Sequence, residues 1–83
     1  VDQNAASGAS RRMDIRSVIS ANLRKYRKEC GYSQEGLALE VGLHRTYISG
    51  VERGIRNPSV LVLEKIAKPL GIPVWKLLYD GKN

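Results

Sequence analysis

Apolar residues recur at intervals of three and four through most of this chain, in short runs that glycines interrupt. In the first run they are Ile15, Val18, Ile19, Leu23, Tyr26 and Cys30. This spacing places them on one face of a helix. A half-buried strand alternates apolar and polar residues between turn residues, and the sequence contains no such run. The pattern therefore predicts an all-α fold.

Glycines and capping residues divide the pattern into successive helices. The first helix is predicted over Asp14–Cys30, with Asp14 in its first turn. Ser33 is placed to cap a second helix that ends at Gly42. A third helix follows after a very short turn and covers Arg45–Arg53. Two short helices joined by a tight, glycine-bearing turn form a helix-turn-helix arrangement.

Two more helices are predicted in the last third of the chain. Ser59 is placed to cap the fourth. Pro69 is expected to end or bend that helix near Lys68, because proline removes an amide bond and crowds the preceding turn. The predicted core stripe of this helix is Val60, Leu63, Ile66, Ala67 and Leu70. Pro73 introduces a fifth helix over Val74–Tyr79, at a position where proline is tolerated.

The length of 83 residues gives room for one hydrophobic core. Residues 1–13 lack helical periodicity and are predicted to be a flexible tail before a single domain over residues 14–83. The longest apolar run has four residues, against the roughly 18 that span a bilayer, and no secretory signal is evident. With Cys30 as its single cysteine, the chain forms no internal disulfide, which fits a reducing cytoplasm.

Charge points to a polyanionic partner. Fourteen Lys and Arg residues against eight Asp and Glu residues give a net charge of +6, and a strongly basic domain is a weak indication of nucleic-acid binding. One histidine and one cysteine are too few for a zinc site of three or four protein ligands. The sequence therefore predicts no metal and no cofactor.

Residues 33 to 59, SQEGLALEVGLHRTYISGVERGIRNPS, resemble the phage-repressor-like helix-turn-helix family, to which the Cro and cI proteins belong. The shared features, at the family's spacing, are Gln34-Glu35, Leu37-Ala38, Gly42, Ile48, Glu52-Arg53-Gly54 and Asn57-Pro58-Ser59. The run RTYISGVERG is similar to the controller proteins of restriction and modification systems. The resemblance implies a five-helix domain that binds double-stranded DNA as a sequence-specific transcriptional regulator.

The resemblance implies that the third helix enters the major groove, where each base pair presents a distinct pattern of donors and acceptors. The implied base-reading residues are Arg45, Thr46 and Ser49, with Gly50 on the same face. Arg45 can donate to O6 and N7 of guanine, and Thr46 offers a hydroxyl and a methyl group. Gly50 either lets the helix sit deeper in the groove or packs closely against another helix.

Phosphate contacts are implied on both sides of the third helix. The candidates are Ser33, Gln34, His44, Tyr47, Arg53, Arg56 and Asn57. Ser33 can equally serve as a helix cap alone, and Tyr47 can cover the edge of the core. Arg56 is favoured as a phosphate ligand because an arginine in a Gly/Asn/Pro loop has little to pack on.

A structural role is implied for Arg27 and Glu52, which would form an ion pair between the first and third helices. Arg24, Lys25 and Lys28 are interpreted as a solvated helix face, with a DNA surface as the alternative.

The last predicted helix has more large apolar residues than a tiny core can easily bury. The sequence therefore predicts a two-fold homodimer on a near-palindromic DNA site. The proposed dimer residues are Val74, Trp75, Leu78 and Tyr79. In the alternative, Trp75 and Leu78 complete the core of the monomer.

Other functional classes have less support. Paired carboxylates, a Cys/His couple and a phosphate-cradling glycine loop are all missing from the sequence, so an enzyme is not expected. A small-molecule ligand and a membrane partner are not expected either. A protein-interaction module built on the same scaffold is the alternative. Activation and repression are left open, and an activator would also need a surface for RNA polymerase.

Overall fold

The computed structural model describes residues 14–81. It contains five helices: α1 (Ile15–Glu29), α2 (Gln34–Val41), α3 (Arg45–Glu52), α4 (Val60–Leu70) and α5 (Trp75–Leu78). No strand occurs within this range, and the predicted all-α, five-helix architecture is confirmed. The tail predicted over residues 1–13 lies outside the described residues. Between residues 14 and 81, no helix combines the length and the apolar character needed to cross a bilayer.

Side chains just before the helices set where three of them begin. The side-chain oxygens of Ser33 and Ser59 accept hydrogen bonds from the amides of Gly36 and Val62, at 2.8 and 3.1 Å. Both predicted caps are confirmed. Asp14 is also an N-cap, with its carboxylate 2.8 Å from the amide two residues on, rather than a residue of the first turn. Each cap satisfies an amide that has no partner inside its helix.

The turn between α2 and α3 depends on Gly42. This residue has φ +73° and ψ +32°, a left-handed conformation in which a side chain would be strained. The amide of Leu43 then donates to the carbonyl of Ala38 at 2.9 Å, which closes the end of α2. The chain is thus turned within two residues of the helix end, and α3 begins at Arg45.

The last two helices differ from their predicted extents, and α1 and α3 are shorter than predicted by one residue at each end and by one residue at the C-terminal end, respectively. α4 does not end near Lys68 but continues through Pro69 to Leu70. Proline in a last turn removes only one helical hydrogen bond, and the left-handed Gly71 sets the end. The fifth helix is a single turn, because Tyr79 is already extended.

The core lies between the apolar faces of all five helices. Its fully buried side chains include Leu23, Leu37, Ile48, Val51, Leu63, Ile66 and Leu77. Val60 was predicted in the core but is 63% exposed at the start of α4. Ile15 and Cys30, at the two ends of the α1 stripe, are exposed as well. Spacing along a helix identifies its apolar face but not which residues of that face other helices cover.

Candidate nucleic-acid interface

A buried carboxylate joins three of the helices. Glu52, the last residue of α3, is 2% exposed. Arg27 of α1 donates to it from Nε at 2.5 Å and from Nη2 at 3.0 Å. Gln34, the first residue of α2, donates to Oε1 from Nε2 at 3.0 Å. The ion pair expected between Arg27 and Glu52 is therefore present, and Gln34 extends it to the start of α2.

The backbone carbonyl of Glu52 is held as well. It accepts hydrogen bonds from the Ser20 hydroxyl and from Nη2 of Arg24, the latter at 2.6 Å. Arg24 is 46% exposed, as the predicted solvated face requires, and its guanidinium also reaches the end of α3, where carbonyls lack helical partners. Arg24 and Arg27 are three residues apart and share one side of α1, which is the sequence signal that could have revealed this second contact.

Opposing effects act on the Glu52 carboxyl. Burial raises its pKa, whereas hydrogen bonds from Arg27 and Gln34 and the charges of Arg27 and Arg24 lower it. The lowering effects are larger, and the pKa of Glu52 lies below its ordinary value of 4.5. The carboxylate is thus ionised at neutral pH, and the charge of Arg27 is matched inside the protein.

Gln34 connects this buried network to the surface. Its Oε1 atom accepts a hydrogen bond from Nη1 of Arg45 at 3.4 Å, while its Nε2 atom donates to Glu52. Arg45 is the first residue of α3 and is exposed. The amide of Gln34 therefore links the beginning of α2 to the beginning of α3, through a long hydrogen bond to the exposed arginine that is predicted to read bases.

The side chain of Arg56 folds back over α3. A Cβ atom built on Gly50 would lie 2.6 Å from Cγ of Arg56 and 3.3 Å from its Nε. The guanidinium carbon of Arg56 lies 6.0 Å from the centre of the Tyr47 ring. Two expectations are corrected here. Arg56 is exposed but its stem packs beside Gly50, and the three atoms nearest to a Cβ built on Gly50 belong to this loop side chain rather than to another helix.

The other predicted contact residues lie at the surface around α3. Exposed positions are Ser33, His44, Thr46, Arg53 and Asn57, while Ser49 is partly buried. His44 is the N-cap of α3 but makes no side-chain capping bond. Tyr47 is partly buried and packs against the core, as one of its two predicted roles requires.

The short α5 divides its apolar residues between core and surface. Leu77 is fully buried, and Val74 packs partly against the core. Trp75, Leu78 and Tyr79 are 55, 36 and 44% exposed. The alternative in which Trp75 and Leu78 complete the monomer core is therefore wrong.

Asn22, an α1 residue outside every motif of the sequence, holds α5 in place. The amide of Asn22 donates to the carbonyls of Leu77 and Tyr79, at 3.0 and 2.8 Å. A helix-disfavoured asparagine in mid-helix is a sequence signal for such a contact.

Within residues 14–81, no three His, Cys, Asp or Glu side chains lie close enough together to hold a metal ion. The exposed arginines around α3 suit an anionic partner, because the side chains of Arg45, Arg53 and Arg56 carry donors and no acceptor.

Comparison with known proteins identifies relatives over most of the chain. Residues 23–74 match the helix-turn-helix family HTH_3. A hypothetical transcription factor from Neisseria meningitidis is 45% identical over 65 residues, which are 78% of this chain and 61% of that protein. Control protein C.SmaI from Serratia marcescens is 48% identical over 66 residues, 80% of this chain and 79% of that one. The biofilm regulator SinR, solved in complex with DNA, superposes with a TM-score of 0.70 at 40% identity, covering 74% of this chain and 98% of that chain.

Proposed function

This chain belongs to the HTH_3 helix-turn-helix family, and from that premise we propose that it is a sequence-specific, double-stranded-DNA-binding transcriptional regulator. In this proposal α3 lies in the major groove and presents Arg45, Thr46 and Ser49 to the base edges. The named relatives are transcription factors, regulators and control proteins, and the chain is proposed to act by binding alone, without catalysis.

The observation that carries the proposal is the hydrogen bond between Gln34 and Arg45. It is anchored through Glu52 to the ion pair with Arg27. A base-reading arginine loses less conformational freedom on binding when part of its side chain is already held. Arg45 can then form a bidentate contact with guanine, worth about 1 to 3 kcal/mol of discrimination against another base.

Phosphate contacts flank this reading edge in the proposal. Ser33 and Gln34 begin α2, His44 caps α3 without using its side chain, and Arg53 and Arg56 follow α3. Amides at a helix start attract anions, and arginines neutralise phosphate charge. Asn57 and the hydroxyl of Tyr47 complete the predicted phosphate-binding set.

A homodimer is proposed through α5. Trp75, Leu78 and Tyr79 are exposed, and the rings of Trp75 and Tyr79 meet edge to face with centroids 5.9 Å apart. The proposed two-fold dimer buries this patch against its own copy, and its two α3 helices must lie about 34 Å apart, one turn of B-DNA, to enter successive major grooves. Val74 borders this patch. The DNA site of such a dimer is a near-palindrome. The proposed location of the protein is the cytoplasm of a prokaryotic cell, and RNA polymerase is a further partner if the protein activates transcription.

Selection from a pool of random DNA duplexes tests the proposal. The purified protein is titrated at about 50 and 200 mM salt, and the retained duplexes are sequenced. Arg45→Ala and Thr46→Ala should each weaken binding to the enriched sequence by about 1 to 3 kcal/mol and relax the preference at one position. The matched control is Arg16→Ala, which also removes one exposed arginine but alters only a contact with Asp14 at the start of α1.

An enriched inverted repeat with these variant effects supports the proposal. Retention without any enriched sequence, lost at the higher salt, contradicts it and leaves nonspecific charge attraction. In that case the protein-interaction alternative takes its place.

A further inference from the structure

Gly50 is an unusual residue at its position. It lies inside α3, where glycine is less favourable than alanine, and it is buried. Its φ angle is not positive, so backbone conformation does not require glycine. What favours glycine is space, because a Cβ at this position would lie 2.6 Å from Cγ of Arg56 and the Arg56 side chain would have to shift.

We propose that Gly50 is a positioning residue for DNA recognition: the space left by its missing side chain seats Arg56 and holds that guanidinium over Tyr47, beside the reading edge of α3. This inference rests on the proposed function and deepens it, because it makes the two residues act as one unit. Gly50 itself then contacts no base.

Three contacts define the seat. The aliphatic part of Arg56 occupies the gap at Gly50, with Cγ and Cδ 2.6 and 3.5 Å from the position of a Cβ. The guanidinium faces the Tyr47 ring at 6.0 Å, within the range of a cation–π contact. Tyr47 is in turn packed against the core. Although Arg56 is exposed, its long side chain therefore has one neighbour along its stem and another beside its tip.

Confinement matters for binding because a free arginine must give up many rotamers when it meets DNA. A side chain that is already seated gives up fewer, and its bound geometry is available before contact. Immobilising one such side chain in advance corresponds to about a three- to tenfold gain in affinity. The contact that Arg56 makes with the anionic backbone strengthens accordingly.

The test combines Gly50→Ala and Arg56→Ala in a double-mutant cycle, with binding to the selected DNA measured at one salt concentration. Gly50→Ala should weaken binding by about three- to tenfold in the wild-type background and should have no effect in the Arg56→Ala background. An equal loss in both backgrounds would overturn the proposal, because it would mean that the alanine methyl group obstructs DNA directly.

A second measurement examines the seat without DNA. In proton NMR spectra of the full chain, the side-chain protons of Arg56 should show upfield shifts from the Tyr47 ring, and both Gly50→Ala and Tyr47→Leu should remove them. Urea unfolding establishes that each variant is folded. Unchanged Arg56 shifts in folded Gly50→Ala would refute the seat, and lost shifts with unchanged affinity would refute its role in recognition.

The proposed function and this inference fail in different ways. A wild-type protein that binds no DNA would overturn the function and the recognition role together, even if the NMR shifts identify the seat. DNA binding that Arg45→Ala weakens but Gly50→Ala does not would overturn the positioning role of Gly50 alone.

Discussion

The guanidinium of Arg27 meets the carboxylate of Glu52 side-on, with Nε and Nη2 each donating to a different oxygen, at 2.5 and 3.0 Å. Both residues are buried, at 8 and 2% exposure. Two charges removed from water stabilise a fold only while they remain paired. Because this pair joins α1 to the end of α3, it links the stability of the domain to the placement of the proposed reading helix.

Removing one partner should be costly. Arg27→Met leaves Glu52 buried without its main counter-charge and is expected to lower the free energy of unfolding by about 3 to 5 kcal/mol. Lys28→Met, the matched control on the exposed side of the same helix, should change it by about 0.5 kcal/mol or less. Urea denaturation measures both.

The double variant Arg27→Met with Glu52→Met shows whether the loss of stability comes from an uncompensated charge or from lost packing. Since an apolar pair can replace a buried ion pair at little cost, the double variant should recover much of the loss. A double variant less stable than either single one would show that packing, rather than charge, dominates this site.

Acid should weaken the domain through Glu52. Its folded-state pKa lies below the ordinary value of 4.5, so its contribution is fully present above about pH 4.5 and is lost as pH falls through the folded-state pKa. The unfolding free energy of the wild type should therefore drop more steeply below about pH 4.5 than that of Glu52→Gln. Asp14 also has a lowered pKa, through its side-chain hydrogen bond with Arg16. Because Asp14 is present in both proteins, its contribution cancels in the comparison of the two pH profiles. Parallel pH profiles would contradict the prediction.

Ser33 has two separable roles, as a cap and as a predicted phosphate ligand. Ser33→Ala should lower the free energy of unfolding by about 1 kcal/mol, as should Ser59→Ala at the start of α4. Ser33→Asp keeps a capping oxygen and should retain near wild-type stability. Its negative charge should nevertheless weaken DNA binding if phosphate lies there. Thermal unfolding and a DNA titration measure the two effects, and unimpaired DNA binding by Ser33→Asp would remove Ser33 from the interface.

Adjacent leucines in α5 should respond differently to the same substitution. Leu77→Ala empties a fully buried position and should destabilise the fold by about 2 to 5 kcal/mol. Leu78→Ala should leave most of the stability intact and should weaken self-association. Trp75→Ala should weaken self-association by about 2 kcal/mol, which is close to a thirtyfold rise in the dimer dissociation constant. Sedimentation across a concentration series reports association, and circular dichroism melts at low concentration report folding. A wild-type protein that stays monomeric at tens of micromolar and on DNA would refute the dimer.

Local chemistry made most of the secondary structure predictable. Ser33 and Ser59 cap helices through bonds to residues three positions away, and Gly42 turns the chain by its own backbone conformation. Such interactions need no other part of the fold. The predicted end of α4 near Lys68, before Pro69, was wrong for a related reason. The rule for proline concerns helix interiors, whereas the end of α4 is set by Gly71, two residues after the proline.

The sequence predicted which residues belong to the candidate site, but not how their side chains are arranged. Its residues could be named from the family resemblance, and Arg27 with Glu52 proved to be in contact. The sequence offered no means of placing Arg56 over Gly50, because the α3–α4 loop must fold back to bring them together. The contact of Arg24 with a carbonyl 28 residues away had one signal in the sequence, its three-residue spacing from Arg27 on α1.

By itself, the sequence determined the helices, their order and the residues available for an anionic partner, since each of these depends on neighbours along the chain. Only the tertiary structure decided which apolar residues of α5 are buried, which arginines have partners within the protein and which side chain lies beside Gly50. These properties depend on distances between helices, and a distance between residues far apart in sequence is fixed only when the core has packed.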